Sequence, residues 1–552
     1  MSSNSRIQPS SAQTPLPQAQ FIVHHSPTGD DVVPFDVVFV GAGPAGLSGS
    51  IELAKLVKAH NANGGSLNVE IGVLEKAGSL GGHSLSGAVV NPLGFRTLFP
   101  ELKDSDFPFR RPVTGEKVFV LTKGHAQRIP TPPTMNNHGN YIASLCECVR
   151  WMGNQAESLG VNIMTGFPVD SLLVEGQRVV GVRTTPAGLK RDSQPGSSYM
   201  PATDVSAQVV VLSDGTRSPL TQSYLKWQNI RSRYEQIFAL GVKEIWKVKK
   251  SPDYIAHTLG WPLPRDTFGG SFMYPMSDDH IAIGIVGGMD YRNPKLDMHL
   301  QLQHLKQHPL FAAMLEGGQC VEWGAKTIPE GGYHAIPERL SGDGLLMLGD
   351  SIGLVNVPAL KGVHYAMLSG IYAARSIFKA LVAKDVSQKS LSHYDQTLRD
   401  SVVLRDLREV RNMRHAFKDG FFVGGIKSVL MTLTKGAFPG DGKHGEEDAA
   451  EWKEFGPTDF PTEKVGLSKV DAVYLSGNKT RDDIPQHLVV GKDISAEMAE
   501  MYVHLCPAGV YEKNGDTLIV NAPNCVDCKA TDVIGPRWTP REGGSGPNYK
   551  EM

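Results

Sequence analysis

A chain of 552 residues is too long for one hydrophobic core and holds roughly three to four domains' worth of sequence. Its 55 basic and 57 acidic side chains leave a formal charge of −2, which argues against a protein built mainly to bind nucleic acid. Six cysteines in this length exclude a secreted disulfide scaffold and favour a reducing, intracellular compartment, yet Cys506, Cys525 and Cys528 crowd the carboxy-terminal end.

The first 33 residues are rich in Ser, Pro and Gln and carry one arginine, Arg6. They show neither the apolar run of a secretory signal nor the Arg-rich amphipathic character of a mitochondrial presequence. Residues 1–33 read as a disordered tail, most clearly as far as Ser26. Next comes DVVFVGAGPAGL at 36–47, an apolar run feeding a turn with Gly41, Gly43 and Gly46, followed by helical apolar spacing. The chemistry asks for these glycines: Gly41 for a tight turn, Gly43 for backbone approach to a pyrophosphate, Gly46 for close helix–strand packing. The phosphate then rests on the free N–H groups of the helix start. A second strand, VEIGVLEK, ends in Glu75, where a carboxylate accepts a ribose hydroxyl, with the polar insert NANGGSLN lengthening the usual spacing.

Cys146 and Cys148 sit two apart on an expected helix, where they diverge and do not make a metal pair. An apolar strand with a Gly turn, VVVLSDGTRS, follows at 209–218. His304 and His308 are at helical spacing without a third ligand, and a solvated helix face is the expectation. The strand GLLMLGD ends in Asp350, which reads either as a helix N-cap or as a ligand to a cofactor. No second GxGxxG appears, so there is no dedicated nicotinamide nucleotide domain and the electrons come from something other than NAD(P)H. No window reaches about 18 uninterrupted apolar residues. The nearest, 421–438, is broken by Lys427 and Lys435 and reads as an amphipathic helix, with Phe422, Ile426, Val429, Leu430, Leu433 and Ala437 on one face. A charged, Gly-punctuated run at 440–456 reads as an exposed connection. Near the end, Cys506-Pro and the CxxC of Cys525 and Cys528 offer soft thiolates that suit an iron–sulfur cluster or zinc, or stand unliganded.

Several blocks together resemble the electron transfer flavoprotein–ubiquinone oxidoreductase family from about residue 35 to the end. They are GAGPAGLSGSIELAKL, GGHSLSGAVVNP at 81–92, MNNHGNYI at 135–142, HTLGWPL at 257–263 and TFGGSFMY at 267–274. They continue with GAKTIPEGGYHAIP at 324–337, NVPALKGVHYAMLSG at 356–370, CPAGVYE, NAPNCVDCK and EGGSGPNY. The resemblance implies an α/β chain, α+β overall: a Rossmann-type FAD-binding domain, an interleaved quinone-binding domain and a ferredoxin-like iron–sulfur domain. The corresponding boundaries are 34–110 for the first FAD part and 111–340 for the quinone and membrane-facing part, with an FAD segment at about 195–235. The FAD domain is completed over 341–456, and 457–552 form the cluster domain.

The cofactors implied are FAD, at Gly41, Gly43, Gly46, Glu75 and Asp350, and a 4Fe-4S cluster on Cys506, Cys525 and Cys528. Quinone carbonyls would meet backbone at Gly269 and Gly270, for which an ordinary turn or bulge is the other reading. His83 is given a structural hydrogen-bonding role, and no catalytic acid, base or nucleophile is assigned. Single electrons would arrive from reduced electron transfer flavoprotein and leave in pairs to ubiquinone or another quinone, on a membrane surface. A bacterial inner membrane, on its cytoplasmic side, is the expected location. The alternative is an FAD-dependent reductase or hydroxylase of the same fold with a vestigial cluster domain; a third reading makes that domain a docking module.

Two departures from the resemblance matter. Thr531 stands where the family's CxxCxxC run has its last cysteine, and an alcohol is a hard, poor substitute for thiolate. The site then holds a three-iron cluster, a four-iron one completed by Asp532 or water, or nothing, and the expectation is a cluster of altered type or stability. The loop RIPTPPTMNNHG at 128–139 is short and carries threonines in place of bulky apolar residues, which leaves the amphipathic helix as the main peripheral anchor.

Overall fold

The computed structural model describes residues 5–439, 446–515 and 517–552. Four short apolar runs, Val37–Val40, Ile71–Glu75, Val209–Leu212 and Leu345–Met347, are too uniformly hydrophobic to face water on either side. They assemble as a parallel sheet, with Asn162–Thr165 on one edge and an antiparallel Ser341–Gly342 on the other. Helices cover such a sheet, and here Pro44–Ala62 and Val363–Val382 pack against each other and against it. Both helices start at the carboxyl ends of strands, the place where open α/β sheets bind ligands.

A second sheet of seven strands has the order 319–329, 238–247, 280–288, 269–275, 255–260, 116–121, 126–129, antiparallel except where Ile255–Gly260 runs beside Glu116–Leu121. Its outer strand Gln319–Pro329 carries the carboxy-terminal region, whose helices Lys469–Leu475 and Ala496–Leu505 share one apolar core with it. Within that region two antiparallel pairs, the long-range 488–489 with 537–538 and the hairpin 511–514 with 517–520, accompany the three cysteines.

In its scaffold the structure departs from the sequence reading at several places, the buried Asp448, Ala449 and Lys453 of the expected exposed connection among them. Residues 5–34 are built into the fold: Arg6–Ile7 pairs with Lys453–Glu454, Ile22–His24 adds in parallel to Val169–Glu175, and Val33–Pro34 to Asp204–Ser206. Their polar composition misleads because backbone pairing and a few anchors, chiefly Phe21 and Ile22, hold the segment. The amphipathic helix spans Phe421–Leu433 and stops short of 438, because Lys435 and Gly436 take left-handed backbone. The Phe422 side chain and residues 440–445 of the expected connection lie outside the described ones. Finally, His304 and His308 are buried: their Nε2 atoms lie 2.8 and 3.1 Å from the Glu463 and Thr122 carbonyls, so neighbouring loops cover the face expected to be solvated.

Candidate functional site

One cavity of ≈ 1650 Å³ runs between the two sheets and reaches the terminal region. That exceeds the usual single-ligand pocket of about 300–1,000 Å³ and leaves room for two groups end to end.

Its nucleotide end is made by the first strand–helix turn. Gly41 has φ +105°, and a Cβ there would lie 2.5 Å from the Ser213 carbonyl oxygen. A Cβ on Gly46 would collide with the Gly41 carbonyl oxygen, whereas Gly43 faces open space at the cavity wall. With Pro44 at the first helical position, the helix start has no side-chain cap, so its free N–H groups are available to an anion. Glu75 closes the turn. Its Oε2 accepts from the Ala42 N–H and its Oε1 from the Ala77 N–H, each at 2.8 Å. A carboxylate has further lone pairs, and Glu75 is on the cavity wall.

Asp350 faces the same cavity from the short helix Gly349–Ile352, for which Leu348 is the N-cap residue; Asp350 is not an N-cap. Burial raises its carboxyl to about 6, with Lys326 pulling the other way. The uncapped start of Val363–Val382, at Gly362, Val363 and His364, lines the wall beside it. Gly269 and Gly270 open the strand Gly269–Pro275 on the opposite wall. A Cβ at either would strike sheet backbone, the Val286 and Thr258 carbonyl oxygens respectively, so strand packing already requires both glycines.

The mouth lies between residues 129–135 and the helix Phe421–Leu433. That helix turns Val423, Ile426, Val429 and Leu433 outward, Ile426 and Leu433 at 66% and 77% exposure, and Phe438 follows at 60%. Val429 and Leu433 also line the cavity, so the apolar patch and the interior are continuous.

The cysteine site adjoins the other end, through Lys529 and Trp538 of the wall. Cys506, Cys525 and Cys528 are all buried and close enough to raise one another's ionisation cost. Burial pushes Cys525 up to about 12 and raises Cys506 and Cys528 as well. Thr531 is buried with them, beside the buried Tyr511 hydroxyl. Asp532 is not free to serve as a ligand: Arg537 and the Trp538 N–H hold its Oδ1, and Arg217 and Gln222 hold its Oδ2. His83 departs from its expected role too. Both ring nitrogens lack hydrogen bonds, and Nδ1 stands 3.7 Å from the Asp527 carboxylate.

Residues 238–328 match the family model described as ETF-QO, ubiquinone-binding, and residues 463–550 match that of electron transfer flavoprotein-ubiquinone oxidoreductase, 4Fe-4S. The mitochondrial protein named electron transfer flavoprotein-ubiquinone oxidoreductase from Oryza sativa subsp. japonica is 36% identical, over 95% of this chain and 94% of its own length. Its namesake from Homo sapiens is 35% identical over 94% of this chain and 89% of its length. The chain belongs to the electron transfer flavoprotein-ubiquinone oxidoreductase family. Solved structures share the fold alone: a geranylgeranyl bacteriochlorophyll reductase-like protein from Thermoplasma acidophilum has a TM-score of 0.54 at 18% identity, covering 74% of this chain and 96% of its own. The flavin-dependent brominase Bmp2 has 0.51 at 16%, covering 73% and 94%.

Within this member of the electron transfer flavoprotein-ubiquinone oxidoreductase family, the donor set fits a cluster held by three thiolates, and position 531 offers an alcohol instead of a fourth. The surrounding charge fits as well. Lys76, Lys326, Lys529 and Arg541 converge on Asp527, with Lys76 and Arg541 each 2.8 Å from its carboxylate and Lys326 Nζ donating to its carbonyl. Burial lowers Lys326 to about 8 and Lys529 well below its ordinary value, and Lys76 adds to both. Anionic ligands relieve such crowding. Sequence reasoning missed these cations, since nothing local marks a lysine as buried; the usable signal was Lys326 and Lys529 within resembling blocks.

Proposed function

We propose that the protein accepts single electrons from reduced electron transfer flavoprotein and reduces ubiquinone or another quinone to quinol at a membrane surface. The observation that carries this reading is the large cavity, which joins a nucleotide-binding turn to an exposed apolar mouth and reaches the region of the three buried thiols through Lys529 and Trp538. FAD is held by the backbone of Gly41 to Gly46, by Glu75 on its ribose and by Asp350 and the adjoining helix start. When bound, it supplies a centre that takes up electrons singly and releases them in pairs. Gly269 and Gly270 present backbone to the quinone, and Cys506, Cys525 and Cys528 hold the iron–sulfur cluster. Anaerobic turnover of reduced electron transfer flavoprotein with a short-chain ubiquinone tests the reading; NAD(P)H consumption with an organic substrate and no quinone reduction would overturn it. The reductase or hydroxylase alternative is not favoured, because the terminal region matches the family's 4Fe-4S model and keeps its three thiols buried together.

Among the described residues no helix is long and apolar enough to cross a membrane. Peripheral attachment through the helix Phe421–Leu433 is the proposal, supported by its exposed apolar face and by Lys427 beside it. The double substitution Ile426→Asp, Leu433→Asp is expected to cut co-flotation with anionic, quinone-containing liposomes at least about tenfold, since each buried apolar side chain contributes about 1.5–3 kcal/mol. Undiminished flotation would locate the contact elsewhere. The membrane proposed is a bacterial inner membrane at its cytoplasmic face, and immunodetection in fractionated native cells checks it.

A further inference from the structure

Reduction of a quinone needs two protons for every two electrons, and the cavity must receive them while its apolar mouth is covered. Only some of its wall is polar enough to conduct. The buried His257, on the strand Ile255–Gly260, places Nε2 2.7 Å from the Tyr274 hydroxyl. Its Nδ1 stands 3.2 Å from Glu116 Oε1, at the start of the neighbouring strand Glu116–Leu121. His257 and Tyr274 both line the cavity. The phenol end of Tyr274 approaches the loop residue Gly87, whose missing Cβ would lie 4.0 Å from its oxygen.

Glu116 is at the outer end. Its side chain keeps 11% exposure and is held by the Asn137 N–H at 3.1 Å and the Asn137 side-chain amide at 2.7 Å. Three polar groups thus stand in series toward the cavity, each from a different strand: a hydrogen bond joins His257 to Tyr274, and His257 Nδ1 lies at ion-pair distance from Glu116 without a formed hydrogen bond. Beside them the buried Thr258 and Ser271 hydroxyls satisfy each other, whereas a buried imidazole between a carboxylate and a phenol is costly unless used.

We propose that Glu116, His257 and Tyr274 form a proton relay serving quinone reduction, an inference that rests on the functional reading above. Glu116 rests ionised, because its burial is outweighed by His257 and Asn137. It takes a proton from solvent and passes it to His257 Nδ1, His257 releases the one on Nε2 to Tyr274, and Tyr274 gives its phenolic proton to the substrate oxygen. One proton enters and one leaves per transit. No electron moves in the chain, because both electrons come from the reduced donor flavoprotein. The imidazole then returns to its first tautomer. Burial lowers the pKa of His257 despite Glu116, which keeps the ring neutral and able to donate and accept at once. The charged groups facing it are Glu116 on its own sheet and Lys361 from the loop before the helix Val363–Val382.

The test compares two acceptors with the same reduced electron transfer flavoprotein: a short-chain ubiquinone, which takes up protons, and ferricyanide, which takes up none. Tyr274→Phe is expected to lower kcat with quinone on the order of 10²-fold, to change its solvent deuterium isotope effect and to leave the quinone KM in place. Glu116→Gln, a milder change nearer the surface, is expected to do the same about tenfold. Rates with ferricyanide stay within about twofold of wild type for both. Unchanged quinone turnover overturns the relay. So does a parallel fall with both acceptors, which marks a structural defect, or a raised KM at constant kcat, which marks Tyr274 as a binding group. A wild-type protein inert toward quinone would instead overturn the functional reading, and the relay with it.

Discussion

Thr531→Cys is expected to add a fourth iron to the cluster of the anaerobically purified protein and to change the oxidation state in which it is paramagnetic. Three buried thiols, Cys506, Cys525 and Cys528, would hold three irons, and Thr531 would leave the fourth without a soft ligand. An iron held there by oxygen or solvent alone is lost first, giving a three-iron cluster that shows EPR in its oxidised form. With the introduced thiolate in place of the alcohol, that signal is expected to vanish, and a signal appearing only on reduction takes over. The position tolerates the change: Thr531 is buried on the short helix Ala530–Ile534, and the two side chains differ little in volume, so the cost to stability stays below about 1.5 kcal/mol. Iron and sulfide analysis with low-temperature EPR of both proteins decides the matter. Identical iron content and identical spectra would show that Thr531 does not limit the site.

Arg414→Met is expected to destabilise the protein by about 3–5 kcal/mol, the cost of leaving buried carboxylates without their cation. Arg414 is 4% exposed; its Nε lies 2.7 Å from Glu330 and its Nη2 2.8 Å from Asp290, and its guanidinium covers the Phe268 ring at 4.3 Å. Asp448, buried nearby, is already raised to about 8 by burial and by Asp290. The effect has a pH sign. Burial works to raise Asp290, but Arg414 outweighs it and holds the group below its ordinary value. A depressed carboxylate contributes stability above its unfolded pKa of about 3.9, and that contribution is lost as pH falls through the folded value. In the variant the same carboxylates, freed of Arg414, take up protons on folding, and acidification then relieves them. The gap in denaturation midpoint between wild type and variant is therefore expected to narrow from pH 8 toward pH 4. A gap constant with pH would assign the loss to packing on Phe268 alone. Partial recovery on adding Asp290→Asn supports the electrostatic account.

Residues whose role is set by local sterics or scarce chemistry are legible in the linear sequence. Gly46 is forbidden a Cβ by the Gly41 carbonyl within the same turn, and the glycine spacing of that turn is written in a dozen consecutive residues, although the Ser213 carbonyl that crowds Gly41 comes from a distant strand end. Thiols are rare enough that three near the end stand out. Asp350 is ambiguous in the sequence, because an N-cap and a cofactor ligand have the same local context, and only its place on the cavity wall separates them. The cations around Asp527 and the series Glu116, His257, Tyr274 are illegible for a different reason. Their members come from separate strands and loops, brought together by pairings such as Ile255 with Glu116 and Thr327 with the Cys528 carbonyl. The two buried histidines at 304 and 308 mislead in the same way, since the residues that cover them lie far off in sequence.

The amino-terminal segment bears on how the chain is made. Residues 5–14 find their partners at the far end: Ser10 on the Ala449 carbonyl, Gln13 on those of Asp532 and Val533, and the Thr14 carbonyl on Arg537. During synthesis those first residues leave the ribosome long before anything exists for them to bind, and at about 5–20 residues per second the wait is on the order of half a minute or more. The parallel sheet of the nucleotide end can assemble in that interval, but this seam closes only after the last cysteine has emerged. Completion of the fold and completion of the metal-binding region are thus the same event, so a chain that stalls short of its final residues presents a loose, unpaired amino terminus to whatever surveys unfinished proteins.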